Sequence, residues 1–434
     1  MRRRGTGLAT LALGALAACS RSAGTEAAPS PAPAPLPTTA PLPTATSAAV
    51  DAAPDAPAIT GTLHHVVGTG QSLASGYGGT PPLSTSQPYQ NRMFGTGVLA
   101  GGTGLTAFVP LVERDVETMS SSFANQVTKL TRAAGGAHDM LVSVHAVGGA
   151  PYRLMKKGNP AYAVTIAQVA AARSIARMSS LAYDVTAITS ADGGGDHVDK
   201  NTHLASDLAE WQHDFETDIE ALTGQTGTIP LFNTQYSSWT EYDPTSPIPL
   251  AQLRAHVEYP GKVIVVGPRY AFQYGPDGVH LTNAGYRQMG EYYARAYRKV
   301  VVEHGVWEPL RPQTVTRAGA AITVRFLVPK PPLVLDTTLA TNPGNLGFEY
   351  ADDGPGSPTI TSVALAGSDS VTITLSAEPT AGNRRIRYAF TGVLGAHAGL
   401  QTGAHGNLRD SDTTPSQNGS TLYDWCVHFD EAVP

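Results

Sequence analysis

The sequence predicts an α/β protein: a three-layer α/β/α domain on a parallel sheet over residues 61–308, then a small antiparallel β-sandwich over 309–434. Three observations carry this. From residue 62 to about 306, short β-branched runs alternate with helical patterns, the order of a parallel sheet covered by helices on both faces. Helical periodicity stops near Trp307, where Pro309 and Pro312 intervene. Beyond them, apolar residues alternate strictly with polar or small ones, as Ile322, Val324, Phe326 and Val328 do, and as Val371, Ile373 and Leu375 do.

Taken in order, residues 1–19 read as an export signal. Arg2-Arg3-Arg4 gives the positive end, and Leu8 to Ala18 is an apolar core too short to span a bilayer. It closes on Leu16-Ala17-Ala18-Cys19, which resembles the bacterial lipoprotein cleavage box and makes Cys19 the expected lipidation site. Residues 20–60 are Ala, Pro, Thr and Ser with almost no large apolar side chains, and read as a disordered tether. An anchor and a tether place the folded part at a bacterial cell envelope or surface, and Ser20 hints at the outer membrane. Within the α/β part, residues 64–68, 140–144, 185–188, 229–232 and 263–266 read as strands. Residues 122–133, 161–181 and 202–223 read as helices, as does a pattern of Tyr286, Met289, Tyr293, Tyr297 and Val300.

Two stretches carry chemistry. Gly68-Thr69-Gly70-Gln71-Ser72 breaks the first strand, and a serine just past a strand end is lifted into the open. Asp277-Gly278-Val279-His280 enters the last helix, with Thr282 as its candidate N-cap. An Asp three residues before a His can hold one imidazole nitrogen while the other faces a serine, which is what a serine nucleophile needs.

Together these stretches resemble the SGNH (GDSL-like) hydrolase family over about residues 62–304, and its sialate O-acetylesterase-like branch in particular, where Gly-Gln-Ser stands for Gly-Asp-Ser. The resemblance implies Ser72 as nucleophile, His280 as general base and Asp277 as its orienter, on an SGNH-type fold. The oxyanion would be held by the N–H groups of Ser72 and Gly148, with Gly149 the alternative in His145-Ala146-Val147-Gly148-Gly149. The third block departs from the branch. Where His-Gly-Glu-x-Asp is usual, this chain reads Asp192-Gly193-Gly194-Gly195-Asp196, with Gly194 at the side-chain donor position and three glycines expected to loosen the loop. Losing one oxyanion donor costs about a hundred- to a thousand-fold in turnover. Three outcomes are open: the backbone donors suffice, another side chain such as Gln71 or Asn91 reaches in, or catalysis is lost and a binding cleft remains.

Gln71, Asn91, Gln235 and Trp239 are candidates to line a substrate pocket. Asp192, Asp196 and Asp199 near His197 and His203 fit no strong ligand pattern and read as a solvated acidic loop, so no metal is expected. The polar run Gly406 to Asp412 reads as a turn, with a cation or sugar site as its other reading. A formal charge of −6 without a basic run past the N-terminus leaves no nucleic-acid footprint, and Gly68-x-Gly70 lacks the third glycine of a dinucleotide site. No organic cofactor is expected. Cys426 is the one cysteine besides Cys19 and reads as a buried thiol. The resemblance implies a serine esterase removing short acyl groups, acetyl first among them, from carbohydrate. The alternative is a weakened or inactive scaffold acting as a glycan-binding surface protein.

Overall fold

The computed structural model describes residues 61–434. The expected export segment over 1–19 with Cys19, and the expected tether over 20–60, lie outside the described residues. Seven strands form the first sheet: β1 (Thr62–Gly70), β2 (Arg92–Phe94), β3 (Phe108–Pro110), β4 (Asp139–Val144), β5 (Ala182–Ala191), β6 (Leu231–Gln235) and β7 (Val263–Pro268). Their order is β3-β2-β4-β1-β5-β6-β7. All neighbours run parallel except β2 and β3 at one edge. The sheet reverses direction of growth at β1, which has β4 on one side and β5 on the other. That is a switch point, where loops at the carboxyl ends diverge and leave a crevice.

The helices are α1 (Ser120–Ala133), α2 (Tyr152–Met155), α3 (Pro160–Met178), α4 (Gly194–Val198), α5 (Leu204–Thr223), α6 (Ile248–Glu258) and α7 (Asn283–Tyr297). Alternation along β1 separates two faces. Val66 packs with Phe123 and Val127 of α1 and Met289 and Tyr293 of α7. Val67 packs with Val169 of α3, Leu208 and Phe215 of α5 and Ala255 of α6. The apolar stripe Leu204, Leu208, Trp211, Phe215 and Ile219 is buried, which explains why α5 follows its sequence pattern closely. Among the described residues, no helix is long and apolar enough to cross a membrane.

Antiparallel structure begins at β8 (Arg311–Ala318) and β9 (Ala321–Leu327). It continues through β10 (Val334–Leu335), β11 (Phe348–Ala351), β12 (Ile360–Leu365), β13 (Ser370–Leu375), β14 (Arg385–Tyr388), β15 (Leu408–Arg409) and β16 (Phe429–Ala432). The two larger sheets run β12-β13-β9-β8 and β11-β14-β16. Ile322, Val324, Phe326, Val371, Ile373, Ile386, Tyr388 and Phe429 face inward and share one core with Tyr292, Tyr293 and Tyr297 of α7.

Polar ties accompany that shared core. Arg295 of α7 reaches Asp412 at 2.7 Å and Asp424 at 2.6 Å. Glu291 accepts from Gln417 N at 2.7 Å, and Tyr292 Oη donates to the Tyr423 carbonyl. Cys426 is buried, and burial pushes its thiol pKa well up.

Candidate active site

Ser72 owes its place to Gly70. That residue closes β1 at φ 125°, and a Cβ there would lie 2.8 Å from the Ala191 carbonyl of β5. Only glycine meets both demands. The chain then coils tightly: Ala74 N donates to Gln71 O at 2.9 Å, and Tyr77 N donates to Ser72 O at 3.0 Å. The hydroxyl is left at the carboxyl end of the central strand.

His280 arrives from the far side of the sequence. The loop after β7 is pinned by Gly275 N to His280 O at 2.7 Å and Thr282 N to Gln273 O at 2.9 Å. Thr282 caps α7, its hydroxyl accepting from Gly285 N at 3.1 Å. His280 Nε2 lies 2.7 Å from Ser72 Oγ, and Nδ1 lies 2.7 Å from Asp277 Oδ2. Asp277 Oδ1 accepts from the backbone N–H groups of His280 and Val279 at 2.9 and 3.0 Å. Partial burial raises the Asp277 carboxyl, but these bonds outweigh it and hold the group below its usual pKa. An ionised Asp277 keeps the proton of His280 on Nδ1, so Nε2 presents a lone pair to the serine hydroxyl.

The ring of Tyr77 lies 4.5 Å from that of His280, and its side chain is 61% exposed. Tyr286 Oη fixes its backbone by donating to Tyr77 O at 2.7 Å. Sequence reasoning missed Tyr77. The available signal was an aromatic residue set between Gly76 and Gly78, five positions past the serine.

The loop of Gly148 and Gly149 runs beside β1. His145 N donates to Gly68 O and Val147 N to Gly70 O, each at 3.0 Å. Both glycines are exposed, and among the described residues neither their N–H groups nor that of Ser72 has a partner.

The triple glycine is not loose, contrary to expectation. Close packing demands glycine at 193 and 195 and leaves little room at 194. A Cβ at Gly193 would stand 2.8 Å from Tyr236 Cβ, one at Gly194 3.2 Å from Gln71 Oε1, and one at Gly195 2.5 Å from Gly149 O. Gly195 N also donates to Gln71 Oε1 at 3.2 Å. Gln71 is therefore a buried brace joining the serine turn to this loop.

The acidic run is solvated only in part, at Asp199 and His203. Asp192, Asp196 and His197 are buried. Asp196 accepts from Tyr152 N at 3.1 Å and Asn201 Nδ2 at 2.9 Å. Burial, reinforced by the nearby Asp192, pushes its pKa up to about 7. Asp199 pairs with Arg153, and His197 with Ser246 and Asp243. Tertiary packing supplies partners that spacing in the chain could not show.

Three other pocket candidates also lie inside. Asn91 binds Asn125, Thr128 and Met140 N. Gln235 donates to Pro249 O and His428 O and accepts from His428 N at 2.8 Å. Trp239 is fully buried, with the His428 ring 4.7 Å away. All three are structural in this fold.

The polar run at Gly406 to Asp412 contributes to a cluster of Asp410, Asp412 and Asp424, the one acidic or His/Cys group with ligand-like spacing among the described residues. The Arg295 guanidinium pairs with two of the three, Asp412 and Asp424.

No protein-family model matches the sequence, and no curated protein is significantly similar to it. Solved structures do resemble the fold. One is a novel carbohydrate acetylesterase from Xanthomonas citri, with a TM-score of 0.52 and 14% identity over 85% of this chain and 80% of that one. A protein from Arabidopsis thaliana gives 0.42 and 16%, covering 55% of this chain and 99% of its own. The structure of NanS gives 0.40 and 13%, covering 56% and 100%. The Xanthomonas likeness spans both parts of the chain and supports the architecture, a three-layer α/β/α fold on a mostly parallel sheet followed by an antiparallel β-sandwich.

Proposed function

We propose that this chain is a serine esterase that removes short acyl groups, acetyl first among them, from carbohydrate at a bacterial cell envelope. The observation that carries the proposal is the unbroken relay from Ser72 Oγ through His280 to Asp277, with both contacts at 2.7 Å. The sugar assignment draws support from the resemblance of Gly70-Gln71-Ser72 and Asp277-x-x-His280 to the sialate O-acetylesterase-like branch, and from the Xanthomonas acetylesterase of similar fold.

His280 Nε2 takes the serine proton as Oγ attacks the ester carbonyl. The oxyanion forms against the free N–H groups of Ser72 and Gly148, with Gly149 as the alternative donor. His280 then returns the proton to the leaving sugar hydroxyl, and water, activated the same way, releases the acyl-serine. Lipidation at Cys19 would hold the enzyme at the membrane, with residues 20–60 as its tether.

Acetate release from acetylated xylo-oligosaccharides and hydrolysis of p-nitrophenyl acetate test the reading. Ser72→Ala should lower turnover by at least about 10³-fold, and a variant as active as the parent ends the assignment. Cys19→Ala should move the protein from the membrane to the soluble fraction. The alternative, a glycan-binding surface protein, rests on the missing side-chain donor at Gly194. It predicts saturable binding without turnover.

A further inference from the structure

A second acid–imidazole pair sits on the loop that carries the first. Glu241 closes a short 3-10 turn after β6, Trp239–Glu241. His397 belongs to the loop between β14 and β15. His397 Nδ1 and Glu241 Oε1 are 2.5 Å apart. Both atoms press on Gly278, the residue directly after Asp277. A Cβ at Gly278 would stand 1.9 Å from His397 Nδ1 and 2.0 Å from Glu241 Oε1.

The antiparallel part holds this pair in place deliberately. Its loop is pinned by Gly392 N to Pro244 O at 2.9 Å and Gly395 N to Thr240 O at 2.7 Å. Thr240 Oγ1 donates to Ala396 O at 2.5 Å. The root is fixed by Glu349, which accepts from Thr391 N at 2.7 Å and Thr391 Oγ1 at 2.6 Å. Glu241 is largely covered, with its side chain 17% exposed, while that of His397 is 49% exposed.

The supported element needs this pair. Gly278 has φ 68°, a conformation that glycine leaves readily for others. The Asp277 side chain is 50% exposed, and its bonds run to its own loop, to Val279 N and His280. Apart from the contacts of His280 with Ser72 and Tyr77, those bonds do not fix the Gly278 peptide against the rest of the protein.

We propose that Glu241 and His397 are positioning residues for the esterase reaction: by seating the Gly278 peptide they set Asp277 and His280 in register with Ser72, so the C-terminal part completes the catalytic machinery. This rests on the esterase reading above. A catalytic group displaced by about 1 Å loses on the order of a hundredfold in rate.

The test uses the whole protein and compares the parent with His397→Ala, His397→Asn and Glu241→Gln. Asn places an amide N–H where Nδ1 stood and should keep the bond to Glu241. With p-nitrophenyl acetate, His397→Ala should lower kcat by about ten- to a hundredfold with KM within about threefold. His397→Asn should restore kcat to within about threefold of the parent, and Glu241→Gln should fall between. The second readout does not need turnover: the downfield proton NMR signal of His280 Nδ1–H, assigned by its loss in Asp277→Ala. It should be sharp in the parent, broadened in His397→Ala and sharp again in His397→Asn. Parent kcat together with a parent signal in His397→Ala overturns the proposal. A parent without Ser72-dependent turnover defeats the esterase reading alone, and the NMR comparison then decides the positioning claim by itself.

Discussion

Replacing Asp277 by Asn isolates what the carboxylate does for His280. In the proposed attack by Ser72 the imidazole would become an imidazolium, and Asp277 Oδ2 faces it from 2.7 Å. Unit charges about 4 Å apart attract by about 4 kcal/mol near a protein surface and about 1 kcal/mol in bulk water. The half-exposed Asp277 side chain falls between these limits, at roughly 2–3 kcal/mol, or on the order of a hundredfold in rate. A tautomer effect adds to this. The amide oxygen can keep the bonds from Val279 N and His280 N, which turns the amide N–H₂ toward Nδ1. The imidazole proton then moves to Nε2 and the lone pair facing Ser72 is lost. Together the two effects predict a fall in kcat of about 10²- to 10⁴-fold with little change in KM. The assay is steady-state hydrolysis of p-nitrophenyl acetate, with thermal unfolding as a control for folding. A well-folded Asp277→Asn protein within about threefold of the parent would refute the reasoning.

Two further perturbations probe the frame around the site. Arg295→Met strips the paired cation from two buried carboxylates, Asp412 and Asp424, and should cost about 3–5 kcal/mol of stability in urea denaturation. An unchanged midpoint would show that Arg295 is not what neutralises the cluster. Asp196 binds its proton more tightly folded than unfolded, with a pKa pushed to about 7. Between about pH 4 and 7 the unfolded chain loses that proton first, so stability declines as pH rises, by about 1.4 kcal/mol per unit, and levels off above. Asp196→Asn should flatten the profile across that window. Glu113 and Asp410, also raised to about 7, contribute the same slope to both proteins and cancel in the comparison.

The meeting of Ser72, His280 and Asp277 was legible because each sits in a short segment whose chemistry is local. Gly70-Gln71-Ser72 announces a strand that ends in a turn, and Asp277-x-x-His280 announces a histidine with its own carboxylate. The long amphipathic helices were legible for a similar reason. The pattern over 202–223 met α5 at Leu204–Thr223, and that over 161–181 met α3 at Pro160–Met178. Helix α6 was not foreseen, because Pro247 and Pro249 frame its start and its apolar stripe is poorly defined. The edge strands β2 and β3 are three residues each, too short for alternation to show. The pocket candidates went astray for a deeper reason. Gln235 looked free to bind sugar, yet its partner His428 stands far along the chain and binds it from 2.8 Å. The glycines of 193–195 looked loose because the surfaces that crowd them, Tyr236, Gln71 and Gly149, come from three other segments.

Helix α7 begins three residues past His280 and is clasped along its flank by residues 412–424 through Arg295, Glu291 and Tyr292. The last hundred residues are thus no detachable cassette. Cutting the gene after the helix would strand a guanidinium and a row of tyrosines in water, and shake the rod on which the imidazole rides. Trimming the protein to a minimal enzyme, or grafting another module in place of this one, would have to rebuild that clasp first.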